Sequence, residues 1–223
     1  MIRKSMKLAA AVMAAGVFAV TGFTGVQAVS GLASVETVEY VMKENAAREG
    51  VLNASSAGTI VKDADDLGDI PVKKGQGYKY VYLKGLQGEA LLVADHPMEN
   101  DNNRASQAKV YVQKDGGPVV YVGEINTGAT SQVIKISGNG VIVARTTYSF
   151  ESFMISADGK KLEAKDSISF VNSDDGKSQI YTGYTRAKDL NSPKVTFAGT
   201  QKDYGNLEKT LFGNVEPISF KVK

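Results

Sequence analysis

Residues Lys109–Ile155 decide the fold, and they read KVYVQKDGGPVVYVGEINTGATSQVIKISGNGVIVARTTYSFESFMI. Short runs of β-branched and aromatic residues are separated here by two turn-forming sequences, Lys-Asp-Gly-Gly at 114–117 and Ser-Gly-Asn-Gly at 137–140. Glycine and asparagine supply the backbone conformations that tight turns need, so the pattern predicts two hairpins in series. We expect these hairpins to form the middle of one continuous antiparallel meander.

Runs with the same strand-like composition occur on both sides of this stretch. They predict strands at Tyr78–Leu83, Glu89–Ala94, Ala108–Gln113, Val119–Glu124, Gln132–Ile136, Gly140–Arg145, Tyr148–Ile155, Ser167–Asn172, Gln179–Tyr184, Lys194–Ala198 and Ile218–Val222. Evenly spaced strands with turn residues between them are typical of all-β domains. The sequence therefore predicts a mainly β (α+β) fold, an antiparallel meander of about ten strands that is propeller-like or barrel-like.

Two helices are predicted outside the meander. Ser34–Glu49 has apolar residues at helical spacing and a serine that can cap its first turn, which predicts an N-terminal amphipathic helix. Asn206–Phe212 predicts a short C-terminal helix. These features divide the chain into a leader at 1–28, a helix plus irregular segment at 29–77, and an antiparallel β domain at 78–223.

Residues 1–28 have the three parts of a cleavable signal peptide. Three basic residues precede an apolar run at Leu8–Val20, and Val26-Gln27-Ala28 places small residues where signal peptidase cuts. Removing this leader changes the formal charge from +2 to −1, which argues against nucleic-acid binding. The chain has no cysteine, so no disulfide braces the domain. We predict a bacterial protein that is secreted, extracellular or cell-wall associated, with no membrane span after leader removal.

Catalytic signatures are weak. Nucleophilic catalysis needs a base beside the nucleophile, and the single histidine, His96, lies in a polar loop with no Gly-x-Ser-x-Gly motif in the chain. Glycoside hydrolysis needs two facing carboxylates. Acidic residues on or near predicted strands are Glu89, Glu124, Glu151 and Glu163. Any β protein with this many acids offers such pairs, so no catalytic or cofactor-binding residue is assigned.

A polar loop just before Lys109 carries candidate metal ligands. Calcium prefers carboxylate and amide oxygens, which recur in this loop. The candidates are Asp95, Glu99, Asp101 and Asn103, and a weaker set in the preceding segment is Asp63, Asp65 and Asp69. A structural calcium ion is the one cofactor that this composition suggests.

Three tyrosines alternate along the first predicted strand. Tyr78, Tyr80 and Tyr82 would point to one face, because side chains alternate between the two faces of a strand. An exposed row of this kind could stack on sugar rings, whereas a buried row would be core packing. The exposure of the row therefore decides between glycan binding and packing.

Four segments resemble, in order, a domain of secreted proteins from clostridia and related bacteria. They are YKYVYLKGLQGEALLVA (Tyr78–Ala94), KVYVQKDGGPVVYVGEI (Lys109–Ile125), ISGNGVIVA (Ile136–Ala144) and SFESFMISADGKKLEA (Ser149–Ala164). The first is similar to the strand-loop-strand unit of FG-GAP or VCBS propeller repeats, whose Asp-rich loop binds calcium. Here that loop is Lys-Gly-Leu-Gln-Gly at 84–88, without a carboxylate. The resemblance implies a fold and a compartment, with the calcium loop not retained.

The sequence therefore favours a non-catalytic binding or structural module whose partner is a surface protein or a glycan. Two alternatives stay open. One is a secreted glycan-acting hydrolase that uses a pair of glutamates, and the other is an inhibitor that presents a hairpin loop to an extracellular enzyme.

Overall fold

The computed structural model describes residues 52–54, 56–129, 131–172, 179–199 and 201–223. The predicted leader at 1–28 and the predicted helix at Ser34–Glu49 lie outside these residues.

The described chain is mainly β, with 46% of its residues in strands and 11% in helices, which confirms the predicted fold class. Its strands are β1 (Leu52–Asn53), β2 (Thr59–Ile60), β3 (Gly77–Tyr82), β4 (Glu89–Ala94), β5 (Gln107–Gln113), β6 (Val119–Asn126), β7 (Lys135–Ser137), β8 (Ile142–Arg145), β9 (Ser149–Ile155), β10 (Leu162–Asn172), β11 (Gln179–Arg186), β12 (Lys194–Gly199), β13 (Val215–Pro217) and β14 (Lys221–Val222). Helix α1 (Gln201–Phe212) precedes β13, and short 3₁₀ turns occupy Leu67–Asp69 and Glu99–Asp101.

The strands form two antiparallel sheets of seven strands each, and not one closed barrel. In the first sheet the order is β1-β6-β5-β4-β3-β14, with β2 also paired to β6. In the second sheet the order is β12-β11-β10-β9-β8-β7-β13. The irregular region before Tyr78 thus contributes two short strands to the first sheet.

The meander changes sheet between β6 and β7, inside the stretch Lys109–Ile155. Buried Thr127 marks the change. Its backbone N donates to Ser106 O at 2.9 Å, and its hydroxyl lies within hydrogen-bond distance of the carbonyls of Ser106, Ala129 and Gln132. Ile134 N then donates to Ala105 O at 2.9 Å. These bonds hold the described ends of the crossing against residues 105 and 106, and β7 starts the second sheet, so the predicted single meander is split into two sheets.

The main hydrophobic core lies between the two sheets. Leu92, Val110 and Val112 of the first sheet and Ile142 and Phe153 of the second belong to one buried cluster. The alternating strand pattern predicts such one-sided burial, since every second side chain faces the core.

Each sheet also has an outer face with its own cover. Residues 61–72 pack on the outer face of the first sheet, where Leu67 and Ile70 meet Leu91 and Val93. Helix α1 packs on the second sheet through Leu207, which contacts a cluster that includes strands β8, β9 and β10. The helix begins at Gln201, five residues before the predicted start.

A tight contact joins the first sheet to the hairpin of β7 and β8. Lys84 N, just after β3, donates to Gly140 O at 2.8 Å. Gly140 has φ +79°, and a Cβ at this position would lie 2.6 Å from Tyr82 O. Only glycine allows both this conformation and this approach.

Candidate functional site

The proposed calcium ligands lie in the loop between β4 and β5, where basic and amide side chains bind two of them. Asp95 accepts hydrogen bonds from Lys109 Nζ at 3.0 Å and from Gln76 Nε2 at 2.5 Å. The bond from Lys109 lowers the pKa of Asp95 and, in return, raises the pKa of the Lys109 amine. Asp95 is therefore one half of an ion pair.

The other candidates belong to the 3₁₀ turn and the residues after it. Asp101 accepts from Arg104 Nη1 at 3.0 Å, and Glu99 is exposed. Asn103 has φ +54°, in the left-handed region that asparagine tolerates. In the part of the chain that the structure describes, no three His, Asp or Glu residues gather at one metal position. The calcium site stays a prediction.

In the weaker acidic set, the side chain of Asp69 caps the 3₁₀ turn together with Asp66. Asp69 Oδ2 accepts from the backbone N atoms of Asp65 and Asp66 at 2.9 and 3.0 Å. Asp66 accepts in turn from Gly68 N at 2.6 Å. Each bond satisfies a backbone donor at the start of the 3₁₀ turn, as helix caps do.

The four strand glutamates are dispersed. Glu124 accepts a hydrogen bond from Gln107, Glu163 pairs with Lys161 at 3.1 Å, and Glu151 accepts from Ser167 Oγ at 3.1 Å. Burial of Glu151 raises the pKa of its carboxyl, and the bond from Ser167 opposes this rise.

Register separates the two glutamates within each sheet. Glu163 pairs with Met154, three residues from Glu151 on β9, so the two glutamates point to opposite faces of the second sheet. In the first sheet, Glu124 is level with Val93, four residues along β4 from Glu89, which is about 13 Å along the strand. That exceeds the carboxyl separation of about 6.5–9.5 Å that inverting glycosidases use. The single histidine, His96, is exposed in its loop.

The tyrosine row of β3 lies on the outer face of the first sheet and is largely open. Tyr82 is 59% exposed and Tyr80 is 38% exposed, whereas Tyr78 is half-buried. The rings of Tyr78 and Tyr80 meet edge to face at 6.4 Å. The exposed pair lies beyond the part of β3 that pairs with β14, which reaches only Gly77 and Tyr78.

Polar and aromatic groups surround the row. Burial raises the pKa of Tyr80, with a smaller contribution from the negative charges of Asp66 and Glu89. Across the same face, the rings of Tyr111 and Tyr121 lie 5.6 Å apart. The outer face therefore combines apolar ring surfaces with carboxylates, and the alternation of β3 predicted which rings share it.

Sequence reasoning missed a buried charged cluster in the second sheet. Lys165 and Asp166 are consecutive on β10, and their side chains are only 10% and 4% exposed. A bulge in the pairing with β9 skips Lys165. Leu162 and Ala164 pack in the core between the sheets, whereas Ile168 packs with Leu207 of α1, although all three stand at even positions of the sequence. The change of face therefore does not alter the apolar spacing, which only Asp166 interrupts.

Comparison of the chain with protein-family models, with curated proteins and with solved structures gave no significant match. Within the described ranges, none of the helices has both the length and the apolar character needed to cross a bilayer.

Proposed function

We propose that the protein is an exported, non-catalytic module that binds glycans through the tyrosine row on the outer face of its first sheet. The observation that carries this proposal is the exposure of Tyr80 and Tyr82 beside the carboxylates of Asp66 and Glu89. Export rests on the predicted leader at 1–28.

The chemistry of the row suits a sugar. The C–H groups on one face of a pyranose ring pack against an aromatic face, while its hydroxyls bond to nearby polar groups. Tyr80 and Tyr82 lie two residues apart, so their rings are separated by about 7 Å along the strand. A linear polysaccharide lying along β3 would present successive sugar rings to these two tyrosines.

Tyr78 packs against the buried cluster under residues 61–72, but Tyr80 and Tyr82 differ from ordinary core packing. Large aromatic side chains are usually mostly buried, because their burial stabilises the folded chain. Adjacent open tyrosines on a rigid strand instead offer contact area with little loss of side-chain entropy on binding. The dispersed glutamates give no comparable support to the hydrolase alternative.

The test is co-sedimentation of the purified chain with insoluble polysaccharides, namely cellulose, chitin and purified peptidoglycan. We expect saturable binding of the unmodified chain to at least one of them, and at least a tenfold loss of affinity in the double variant Tyr80→Ala/Tyr82→Ala. Tyr148→Ala is the matched control, since Tyr148 is 41% exposed and lies in the turn between β8 and β9, away from the row. Absence of binding to all three polymers, or equal loss in the control, would overturn the proposal.

A further inference from the structure

A cavity of about 280 Å³ opens where the second sheet, helix α1 and the end of β3 meet. Ser152, Lys165 and Asp166 form its buried base. Exposed residues from the β7–β8 turn and from the end of α1 form its rim, including Asn139 and Asn214. The volume is near the lower end for small-ligand sites, so the cavity suits a small polar molecule.

The β10 bulge creates the base of this cavity. Consecutive residues of a regular strand point to opposite faces, but the bulge directs both Lys165 and Asp166 into one cavity. Lys165 Nζ lies 3.0 and 2.9 Å from the two carboxylate oxygens of Asp166. Bulges occur often beside functional sites because they redirect side chains in this way.

Asp166 has no acceptor capacity left for a ligand. Its Oδ2 accepts from Ser152 Oγ at 2.6 Å, and its Oδ1 accepts from the hydroxyl of Thr185 and from Arg186 N at 3.2 Å. With the two contacts from Lys165, both oxygens are saturated by donors. The carboxylate therefore balances Lys165 and is not presented to the cavity as an acceptor.

The residues that line the cavity have more hydrogen-bond donors than acceptors available for a ligand. Lys165 has three N–H groups, of which Asp166 takes two. The side-chain oxygen of Asn139 accepts from Ser137 at 2.5 Å, which leaves its amide NH₂ as a donor. The two lysines and one aspartate that line the cavity carry a net charge of +1.

Lys84 supplies the positive charge that the lining residues do not balance among themselves. Its backbone bond to Gly140 fixes it at the opening, and its amine donates to Lys188 O at 2.8 Å. In the described part of the chain, no carboxylate oxygen lies within 4 Å of this amine. Asp189 is the acid near Lys84, but it does not line the cavity, and its carboxylate accepts from the backbone N atoms of Asn191 and Ser192.

We propose that this cavity binds a small oxyanion, the carboxylate or phosphate group of a small molecule, between Lys84 and the free N–H of Lys165. An oxyanion supplies the acceptors and the negative charge that the lining lacks, and charge-assisted bonds from two amines would hold it. The site is separate from the tyrosine row, and neither proposal depends on the other.

The test is titration of the ¹⁵N-labelled chain with sodium acetate and, separately, with sodium phosphate, against sodium chloride at equal ionic strength. We expect saturable shifts of amide signals at 138–141 and at Asn214 with one or both oxyanions, and none with chloride. The acetate and phosphate arms identify the preferred group. No saturable shift with either anion would overturn the proposal.

Lys84→Met is the decisive variant, because removing Lys165 would leave Asp166 buried without its cation and could prevent folding. We expect Lys84→Met to weaken anion binding about tenfold, the loss that removal of one charged contact produces. Lys79→Met is the matched control, since Lys79 is an exposed lysine on β3 that does not line the cavity. Equal affinity in the Lys84→Met variant and the unmodified chain would also overturn the proposal.

Discussion

The outer faces of the two sheets differ in how much of each face is covered by the rest of the chain. Residues 61–72 cover only part of the first sheet and leave Tyr80 and Tyr82 open to solvent. Helix α1 covers the second sheet, and Lys165 and Asp166 are buried beneath that side of the molecule. The first face exposes Tyr80 and Tyr82, whereas the second side buries two charged groups that bond to each other.

The two sheets also carry ion pairs that differ in their exposure to water. The ion pair of Asp95 and Lys109 on the first sheet is about one-third exposed on each side, so water can replace either partner. The side chains of Lys165 and Asp166 are only 10% and 4% exposed, so water replaces a lost partner there much less readily. Substitutions on the two faces should therefore differ most in their effect on stability.

Loss of the buried cation should have the largest effect. Lys165→Met leaves the carboxylate of Asp166 buried without its counter-charge, which we expect to cost about 3–5 kcal/mol of unfolding free energy. Urea denaturation measures this cost. Lys161→Met is the control, because it breaks the exposed pair with Glu163 and should cost under about 1 kcal/mol. Similar costs for the two variants would remove the distinction between buried and exposed pairs.

The stability that helix α1 contributes can be compared with the stability that the exposed tyrosines contribute. Leu207→Ala in α1 removes a side chain that is buried among residues of the second sheet, and we expect a cost of about 2–4 kcal/mol. Tyr82→Ala on the open face should change stability by no more than about 0.5 kcal/mol. Thermal and urea unfolding of both variants give the comparison. A large cost at Tyr82 would mean that the first face is also closed.

Substitution of Gly140, where the first sheet contacts the β7–β8 hairpin, should lower the stability of the chain. Gly140→Ala combines a left-handed backbone with a Cβ placed 2.6 Å from Tyr82 O, so we expect a cost of about 2–3 kcal/mol. Gly138→Ala, in the same turn, meets nothing within 4 Å and should be nearly neutral. Equal midpoints of denaturation for the two variants would show that this contact does not hold the sheets together.

The two sheets should also respond to pH in opposite directions, with small effects. The pKa of Asp95 is lowered by its bond from Lys109, so its contribution to stability is present above the unfolded pKa and lost as the pH falls through the folded one. The pKa of Glu151 is raised by burial, so its contribution is present below the unfolded pKa and lost as the pH rises through the folded one.

Two isosteric variants check these signs by urea denaturation across the acid to neutral range. Asp95→Asn should lose less stability than the unmodified chain on acidification, by at most about 1 kcal/mol because the pair is exposed. As the pH rises towards neutral, the Glu151→Gln variant should lose less stability than the unmodified chain. The reverse slope in either variant would contradict the assigned cause of its pKa shift.

Local sequence patterns predicted most of the strands, because neighbouring residues determine where a strand begins and ends. The limits of β4 were predicted to the residue, and those of β5 and β9 to within one, since alternation and turn residues determine them. The division into two sheets was not predictable in this way. It depends on hydrogen bonds between the crossing at Thr127 and residues near Ser106, which no local pattern records.

The candidate sites show the same limit. Alternation identified Tyr78, Tyr80 and Tyr82 as one row, but their exposure depends on how far 61–72 extends over the sheet. The acidic loop had suitable oxygen atoms, yet Lys109, from the next strand, binds Asp95. At Lys165, regular apolar spacing concealed a bulge that only pairing with β9 reveals.

The pairing of β14 with β3 has a consequence for how the chain folds. Lys221 pairs with Tyr78, and all strands of the second sheet lie between them in sequence. Contacts between such distant residues form slowly, because a long loop must close before any stabilising contact is made. During synthesis, the start of β3 at Gly77 and Tyr78 therefore emerges with an unpaired edge that stays open until β14 appears, while residues 79–82 have no β14 partner even in the folded chain. Such an edge can pair with another chain, so refolding yield should fall as protein concentration rises.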